Sequence, residues 1–292
     1  MEKVLIAGAG FMGSGIAQVS AQAGYQVYLM DIQTKITERA LREIRWSVEK
    51  LEAKGLLREP SQKVIARISP VKDLSSASEV DWVIEAALEE EDLKRRIFQE
   101  LDRISRPETP LATNTSSIPI TRLAENLRRP QRVLGLHFFG PVPLMRLVEV
   151  VKGEKTSSEV FERGVAFVQS LGKTPVRVQR DIPGFVMNRI FSAAFREAVD
   201  LVDQGIVRAE DVDVGMRLGY GWNAGPFEIA DNAGLDTFVR VAQTMKTLGA
   251  GHLAPSSKLV EQMVVEGRLG RKAGKGFYRY SPEGKRLPWE SK

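Results

Sequence analysis

The chain has no cysteine among its 292 residues and only two histidines. The first absence excludes disulfides, thiolate metal sites and a cysteine nucleophile. The second leaves too few imidazoles for a histidine metal cluster, so no metal is expected. No apolar run approaches the length needed to cross a bilayer, and no membrane partner is expected. Charge of one sign is also scarce: 42 Lys and Arg against 37 Asp and Glu leave a net +5. The basic residues are mixed with acids, as in Glu90-Glu91-Asp92-Leu93-Lys94-Arg95-Arg96. That pattern reads as solvated helix surface, compatible with an anionic small substrate and giving no sign of a nucleic-acid partner. The first strand follows Met1 almost at once, leaving no room for a signal peptide, and a cytoplasmic location is expected.

What is present is an ordinary globular composition, 43% hydrophobic and 27% charged, long enough for two moderate domains. The most informative stretch comes first. Val4-Leu5-Ile6-Ala7 runs into Gly8-Ala9-Gly10-Phe11-Met12-Gly13, and Val27-Tyr28-Leu29-Met30 ends at Asp31. Gly8 permits a tight turn, Gly10 lets the backbone approach a pyrophosphate, and Gly13 lets the next helix pack close to its strand. That helix, Phe11 to about Ala23, would turn its unpaired N–H groups toward the phosphates. Asp31 is placed to accept the hydroxyls of the adenosine ribose and to repel a 2′-phosphate. The cofactor expected is therefore NAD rather than NADP.

After Asp31, Thr34 to about Leu57 is long and amphipathic, and Pro60 opens a short helix through Ile68. Strands at 82–86 and 110–113 flank a helix to about Ile104. This alternation predicts a parallel, doubly wound α/β sheet of Rossmann type. From Arg132 the pattern changes to strands at 133–138, 144–151 and 175–178, with a helix at 158–171 before the last. Asp181-Ile182-Pro183-Gly184 marks a break, and beyond it the helices 185–203, 209–218, 226–232, 236–248 and 257–266 are expected. The domains predicted are a dinucleotide-binding domain over 1–182, with a helical excursion over about 34–68, and an all-helical domain over 183–292.

Two polar residues stand inside apolar strands, His137 in Val133–Phe138 and Glu149 in Leu147–Val151. A core histidine with satisfied nitrogens is the ordinary reading. A buried carboxylate without a partner is expensive, however, and a histidine donating to it becomes a better-oriented base. Asn114-Thr115-Ser116-Ser117 follows a strand at the expected cofactor crevice, which puts Asn114 at the cofactor and a hydroxyl within reach of a substrate oxygen. Ser116 or Ser117 capping the helix near Pro119 is the alternative. Asn188, early in the second domain, is either a surface amide or a group reaching back to the crevice.

Eight ordered motifs now accumulate: Gly8-x-Gly10-x-x-Gly13, Glu85-Ala86, Asn114–Ser117, His137-Phe138-Phe139-Gly140-Pro141, Val148-Glu149-Val150, Asp181-x-Pro183-Gly184-Phe185-x-x-Asn188-Arg189, Gly225-Pro226-Phe227 and Gly274-x-Gly276-Phe277-Tyr278. Together they closely resemble the L-3-hydroxyacyl-CoA dehydrogenases, including the 3-hydroxybutyryl-CoA dehydrogenases, nearly end to end. The resemblance implies NAD-dependent oxidation of a 3-hydroxyacyl-CoA to a 3-ketoacyl-CoA, as in fatty-acid metabolism and β-oxidation, by a homodimer. It implies that His137 is the general base, Glu149 its orienting partner, and Ser116 and Asn188 the groups that bind substrate oxygens. It places Glu85 near the nicotinamide ribose, and Ser47 and Lys54, two turns apart on one helix face, on the CoA.

Departures from the family pattern fall mostly in the second domain: Trp222-Asn223-Ala224, Asn232-Ala233 and Ala273, with Glu90 where asparagine is common. They bear on acyl-chain preference and dimer contacts and leave His137 and Glu149 untouched. L-gulonate 3-dehydrogenase and lambda-crystallin resemble this chain in the same Ser–His–Glu–Asn set, and a non-catalytic NAD-binding protein is a third reading. Retained Ser47 and Lys54 favour the thioester, and the retained His137 and Glu149 favour catalysis.

Overall fold

The computed structural model describes residues 2–251, 254 and 257–288. The chain divides into two compact units, Met1–Ile182 and Pro183–Lys292.

The first unit is an eight-stranded sheet. Its strands are β1 (Lys3–Ala7), β2 (Gln26–Met30), β3 (Ile68–Val71), β4 (Trp82–Glu85), β5 (Leu111–Thr113), β6 (Val133–Phe138), β7 (Leu147–Lys152) and β8 (Thr174–Val178). The order across the sheet is β3-β2-β1-β4-β5-β6-β7-β8. Every neighbouring pair is parallel except β6 and β7, which are antiparallel, so the last two strands run against the rest. β1, β4 and β6 are apolar almost throughout and buried, as strands covered on both faces must be. The order reverses at β1, whose neighbours are β2 and β4. In such sheets the crevice beyond that switch point takes the ligand.

Helices α1 (Phe11–Gln22), α2 (Thr34–Ala53), α3 (Ser61–Ala66), α4 (Glu91–Ile104), α5 (Ile120–Ala124) and α6 (Ser158–Ser170) connect these strands. α2 buries Thr37, Ala40, Ile44 and Val48, a 3-4-4 spacing that makes one stripe, and packs it against α1. Phe167 of α6 packs on Trp82 and Tyr25, closing the core between helices and sheet.

Two local expectations need correction. Ile68 does not end a helix but opens β3, an edge strand paired with β2. Pro70 within it lacks an N–H and so masks the strand in the sequence, yet an edge strand tolerates the loss. β7 begins at Leu147 and not at Leu144, because the N–H groups of Leu144 and Met145 both turn back to the Pro141 carbonyl, at 2.9 and 3.0 Å.

The second unit comprises α7 (Met187–Asp203), α8 (Ala209–Tyr220), α9 (Pro226–Ala233), α10 (Leu235–Thr247) and α11 (Lys258–Val265), with a C-terminal segment joined by isolated β-bridges. α7 starts two residues later than its apolar pattern suggests, because Gly184 and Phe185 both take positive φ, 74° and 45°. The positive φ at position 184 favours glycine, and a Cβ there would also press on the flexible terminal methyl of Met245, 2.5 Å away. Phe195 meets Phe191, Phe227, Phe238 and Phe277 in the core of this unit. Two buried aspartates organise it. Asp213 accepts the N–H groups of Phe227 and Glu228 at 2.9 and 3.0 Å, capping α9, and the Tyr278 hydroxyl at 2.6 Å. Asp231 accepts from the N–H groups of Phe277 and Tyr278 and from the Tyr280 hydroxyl.

Candidate active site

The glycine loop is shaped by clashes that only glycine avoids. Gly8 has φ 115°, and a Cβ there would approach the Ala86 carbonyl oxygen to 2.5 Å. A Cβ on Gly13 would collide with the Gly8 carbonyl, so α1 could not lie against its strand. Gly10 is different: a Cβ there meets no protein atom within 4 Å. Nothing in the protein's own packing calls for glycine at that position, whereas a phosphate approaching the backbone does. Gly10 is also the N-cap of α1, and neither a capping side chain nor an acid occupies the first turn. The helix therefore presents bare N–H groups to an anion, and these residues fit a dinucleotide pyrophosphate.

Asp31, just past β2, is drawn over the loop. One carboxylate oxygen accepts the Ala9 N–H at 3.0 Å and the other the Gln33 N–H at 3.1 Å. It stays partly exposed.

His137 and Glu149 occupy directly opposite positions in the antiparallel register of β6 and β7. His137 Nδ1 lies 2.7 Å from Glu149 Oε2, with the histidine 6% and the glutamate 0% exposed. The Phe139 ring covers the imidazole at a centroid distance of 4.6 Å. The Asn114 amide oxygen accepts the Phe138 N–H at 2.9 Å, tying the loop after β5 to the residue following His137. Ser116 lies in that loop, half-buried. Unit one thus gathers Asn114, Ser116, His137 and Glu149 on three adjacent strands and their loops. Asn188 belongs to the other unit, as the second residue of α7, and is half-buried.

Glu85 is fully buried at the end of β4 with both oxygens engaged. Oε1 takes Lys94 Nζ and the Ala87 N–H, each at 2.6 Å, and Oε2 takes the Thr113 hydroxyl at 2.7 Å. On α2, Ser47 is half-buried and Lys54 is the exposed C-cap residue. No group of three or more acids or histidines suited to a metal occurs among the described residues. Nor is any described helix long and apolar enough to cross a membrane.

Residue reading alone missed Glu89 and Lys94. Lys94 belongs to a run that reads as solvated surface, yet its side chain is 1% exposed and lies between Glu85 and Glu89, 2.6 and 3.4 Å away. A signal existed: Lys94, Phe98 and Leu101 fall at i, i+4 and i+7, and that is the buried face of α4. A lysine on such a face needs acids nearby. Burial alone would raise the Glu89 carboxyl, but the Lys94 ammonium and donors from Thr115, Ser116 and Ser117 outweigh it and hold the group below its ordinary range.

Residues 3–182 match the 3-hydroxyacyl-CoA dehydrogenase NAD binding domain, and residues 184–280 match the 3-hydroxyacyl-CoA dehydrogenase C-terminal domain. The chain belongs to the 3-hydroxyacyl-CoA dehydrogenase family. It is 42% identical over 276 residues to a probable 3-hydroxybutyryl-CoA dehydrogenase of Deinococcus radiodurans, covering 94% of this chain and 99% of that one. Identity to the corresponding probable enzyme of Bacillus subtilis is also 42%, over 282 residues, covering 96% and 98%. The crystal structure of (S)-3-hydroxybutyryl-CoA dehydrogenase from Ralstonia eutropha superposes with a TM-score of 0.89 at 39% identity, covering 96% of this chain and 99% of that one. Membership in this family makes the protein an NAD-dependent oxidoreductase, and NAD is the group that the Gly8–Gly13 loop and Asp31 fit.

Proposed function

We propose that this protein interconverts (S)-3-hydroxyacyl-CoA and 3-ketoacyl-CoA, with His137 and Glu149 as the acid–base pair. The observation that carries the reading is the buried pair itself, 2.7 Å apart and tied through Asn114 to the loop that bears Ser116, in a chain of this family.

NAD, when bound, supplies the acceptor for the hydride that leaves C3. His137 Nε2 takes the proton of the C3 hydroxyl as the C3–O bond becomes a carbonyl. Glu149 accepts the Nδ1–H, which keeps the imidazole in the tautomer with a basic Nε2 and stabilises the imidazolium that forms. In the reverse direction the same nitrogen returns the proton. The Ser116 hydroxyl and the Asn188 amide bind the substrate oxygens and hold C3 in reacting geometry, a contribution comparable with the proton transfer. Gly8, Gly10, Gly13 and Asp31 hold the cofactor, with Asn114 and Glu85 supporting it. Ser47 and Lys54 meet the CoA moiety. The reading extends to a homodimer working in the cytoplasm in fatty-acid metabolism.

The test is the loss of NADH absorbance with acetoacetyl-CoA, run beside NAD reduction with L-gulonate. Turnover of the thioester alone is the expected result. Turnover of gulonate alone would assign the chain to a sugar-acid chemistry, and silence with both despite NADH binding would remove the catalytic reading. Light scattering of the purified chain tests the dimer.

A further inference from the structure

The connection from β6 to β7 covers residues 139–146, longer than the tight turns that fix a hairpin's register by themselves. Register decides the site here. Side chains alternate between the two faces of a strand, so a slip of one residue would turn Glu149 away from His137. The connection is closed from within by the Pro141 carbonyl, which accepts the N–H groups of Leu144 and Met145. It is also fastened from another element. Lys173, the residue before β8, donates from Nζ to the Val142 carbonyl at 2.7 Å and to the Met145 carbonyl at 2.6 Å. Its neighbour Thr174 donates its N–H to the Arg146 carbonyl at 2.8 Å.

Lys173 is 9% exposed, and both of these partners are neutral carbonyls. Burial pushes its ammonium down from the ordinary lysine value. A buried ammonium is a costly way to fill space; what it adds over an apolar side chain is a pair of donors for two points of one loop. The loop is confined on its other side by α1, since a Cβ on Gly15 would come within 2.8 Å of the Val142 Cβ.

We propose that Lys173 is a positioning residue for the His137–Glu149 pair: by tying both ends of the Val142–Met145 turn to the entrance of β8, it fixes the register in which β7 meets β6 and so the contact of Glu149 with His137 Nδ1. The inference rests on the reading of that pair as the acid–base machinery. Substitutions at position 173 act on the donors separately from the bulk. Lys173→Met keeps the length and the apolar stem and leaves the two carbonyls without this donor. Lys173→Arg keeps the charge and the donors on a bulkier head, so it should restore part of the effect.

The experiment is NMR of the histidine ring nitrogens in 15N-histidine-labelled protein, beside kcat and KM for acetoacetyl-CoA and NADH affinity by fluorescence. The chain has two histidines, so a His252→Gln variant assigns the His137 ring. In the wild type the ring should hold the single tautomer with the proton on Nδ1. In Lys173→Met the shifts of the two ring nitrogens should move toward each other as the tautomers mix. The same variant should lose roughly tenfold in kcat while KM and NADH affinity stay within about twofold. Lys173→Arg should recover part of both changes, and adding Lys173→Met to Glu149→Gln should cost no more than about twofold beyond Glu149→Gln alone. Unchanged ring shifts in Lys173→Met, losses that multiply in the double variant, or a defect confined to the denaturation midpoint would each overturn the assignment. The ring shifts are read without substrate, so inactivity of the wild type toward acetoacetyl-CoA would count against the functional reading alone. If Lys173→Met fails to fold, Lys173→Gln, with donors on a shorter stem, carries the same measurements, and unchanged ring shifts with unchanged kcat are the opposing result.

Discussion

His137 and Glu149 are cross-strand neighbours whose side chains meet at 2.7 Å, Nδ1 to Oε2, between two strands that run in opposite directions. The antiparallel turn between β6 and β7 is what makes this possible. In a parallel pair, residues twelve apart in sequence could not be brought opposite each other without a long crossover. A carboxylate with no exposure is costly to desolvate, and the imidazole N–H is the partner that offsets the cost.

His137→Gln should keep NADH affinity and lower turnover of acetoacetyl-CoA by at least about 100-fold, as expected for a lost general base. Glu149→Gln should lower it roughly 10- to 100-fold, since the imidazole would lose its orientation and its counter-charge. Steady-state kinetics beside fluorescence binding separate the two effects. Near-normal turnover of either variant would refute its role.

Two of the loop glycines, Gly13 and Gly10, should fail in different ways. Gly13→Ala forces its Cβ into the Gly8 carbonyl and should lower the denaturation midpoint. Gly10→Ala meets no protein atom within 4 Å, so its midpoint should match the wild type while NAD affinity falls at least about tenfold. Calorimetry with and without NADH checks both. A destabilised Gly10→Ala protein that binds NADH normally would contradict the pyrophosphate assignment.

Asp31 holds the glycine loop through Ala9 and, in the function proposed above, also selects the cofactor; substitutions should separate the two. Asp31→Asn keeps an acceptor for the Ala9 N–H and removes the negative charge, so its main effect should be a rise in NADP use relative to NAD. Asp31→Ala also abandons the loop and should raise the KM for NAD by roughly tenfold or more. Comparing kcat/KM for the two cofactors in each variant gives the answer. An unchanged NAD-to-NADP preference in both would remove Asp31 from cofactor selection.

Acid should release the Ser116 loop. Burial tends to raise the Glu89 carboxyl, but Lys94 and the loop donors hold it below the ordinary value of 4.5. A carboxyl whose folded value lies below its unfolded one contributes stability that is fully present above the unfolded value and is lost as pH falls through the folded one. The stability gap between wild type and Glu89→Gln should therefore be constant at about pH 6–7 and narrow below pH 4.5. Urea denaturation across that range checks it, and a gap that does not narrow would oppose the ion pair.

In the second unit, Tyr278→Phe should cost about 1–3 kcal/mol, because the Asp213 carboxylate is buried and would lose one of its three donors. The Tyr278 hydroxyl itself is pushed far up its titration range, by burial first and then by Asp213, so it stays a donor across the working pH range. A denaturant midpoint equal to that of the wild type would show that the bond is replaceable.

What the chain alone determined is whatever depends on near neighbours in sequence. The glycine loop, Asp31 at the end of β2 and the alternation of strands with helices are local, since each follows from the φ, the spacing or the periodicity of a few consecutive residues. The family and its NAD cofactor were legible for that reason. The tertiary structure alone decided which side chains face one another. That His137 and Glu149 are register partners depends on the turn from Pro141 to Arg146 and not on either strand's composition. β3 is recruited by pairing with β2 in spite of Pro70. Lys94 was misread because its burial is fixed by Glu85 on another element, and the four donors on Glu89 come from residues about 26 to 28 positions away. A charged side chain has no periodicity of its own; whether it is solvated surface or a buried clamp is settled by the carboxylates the fold brings to it.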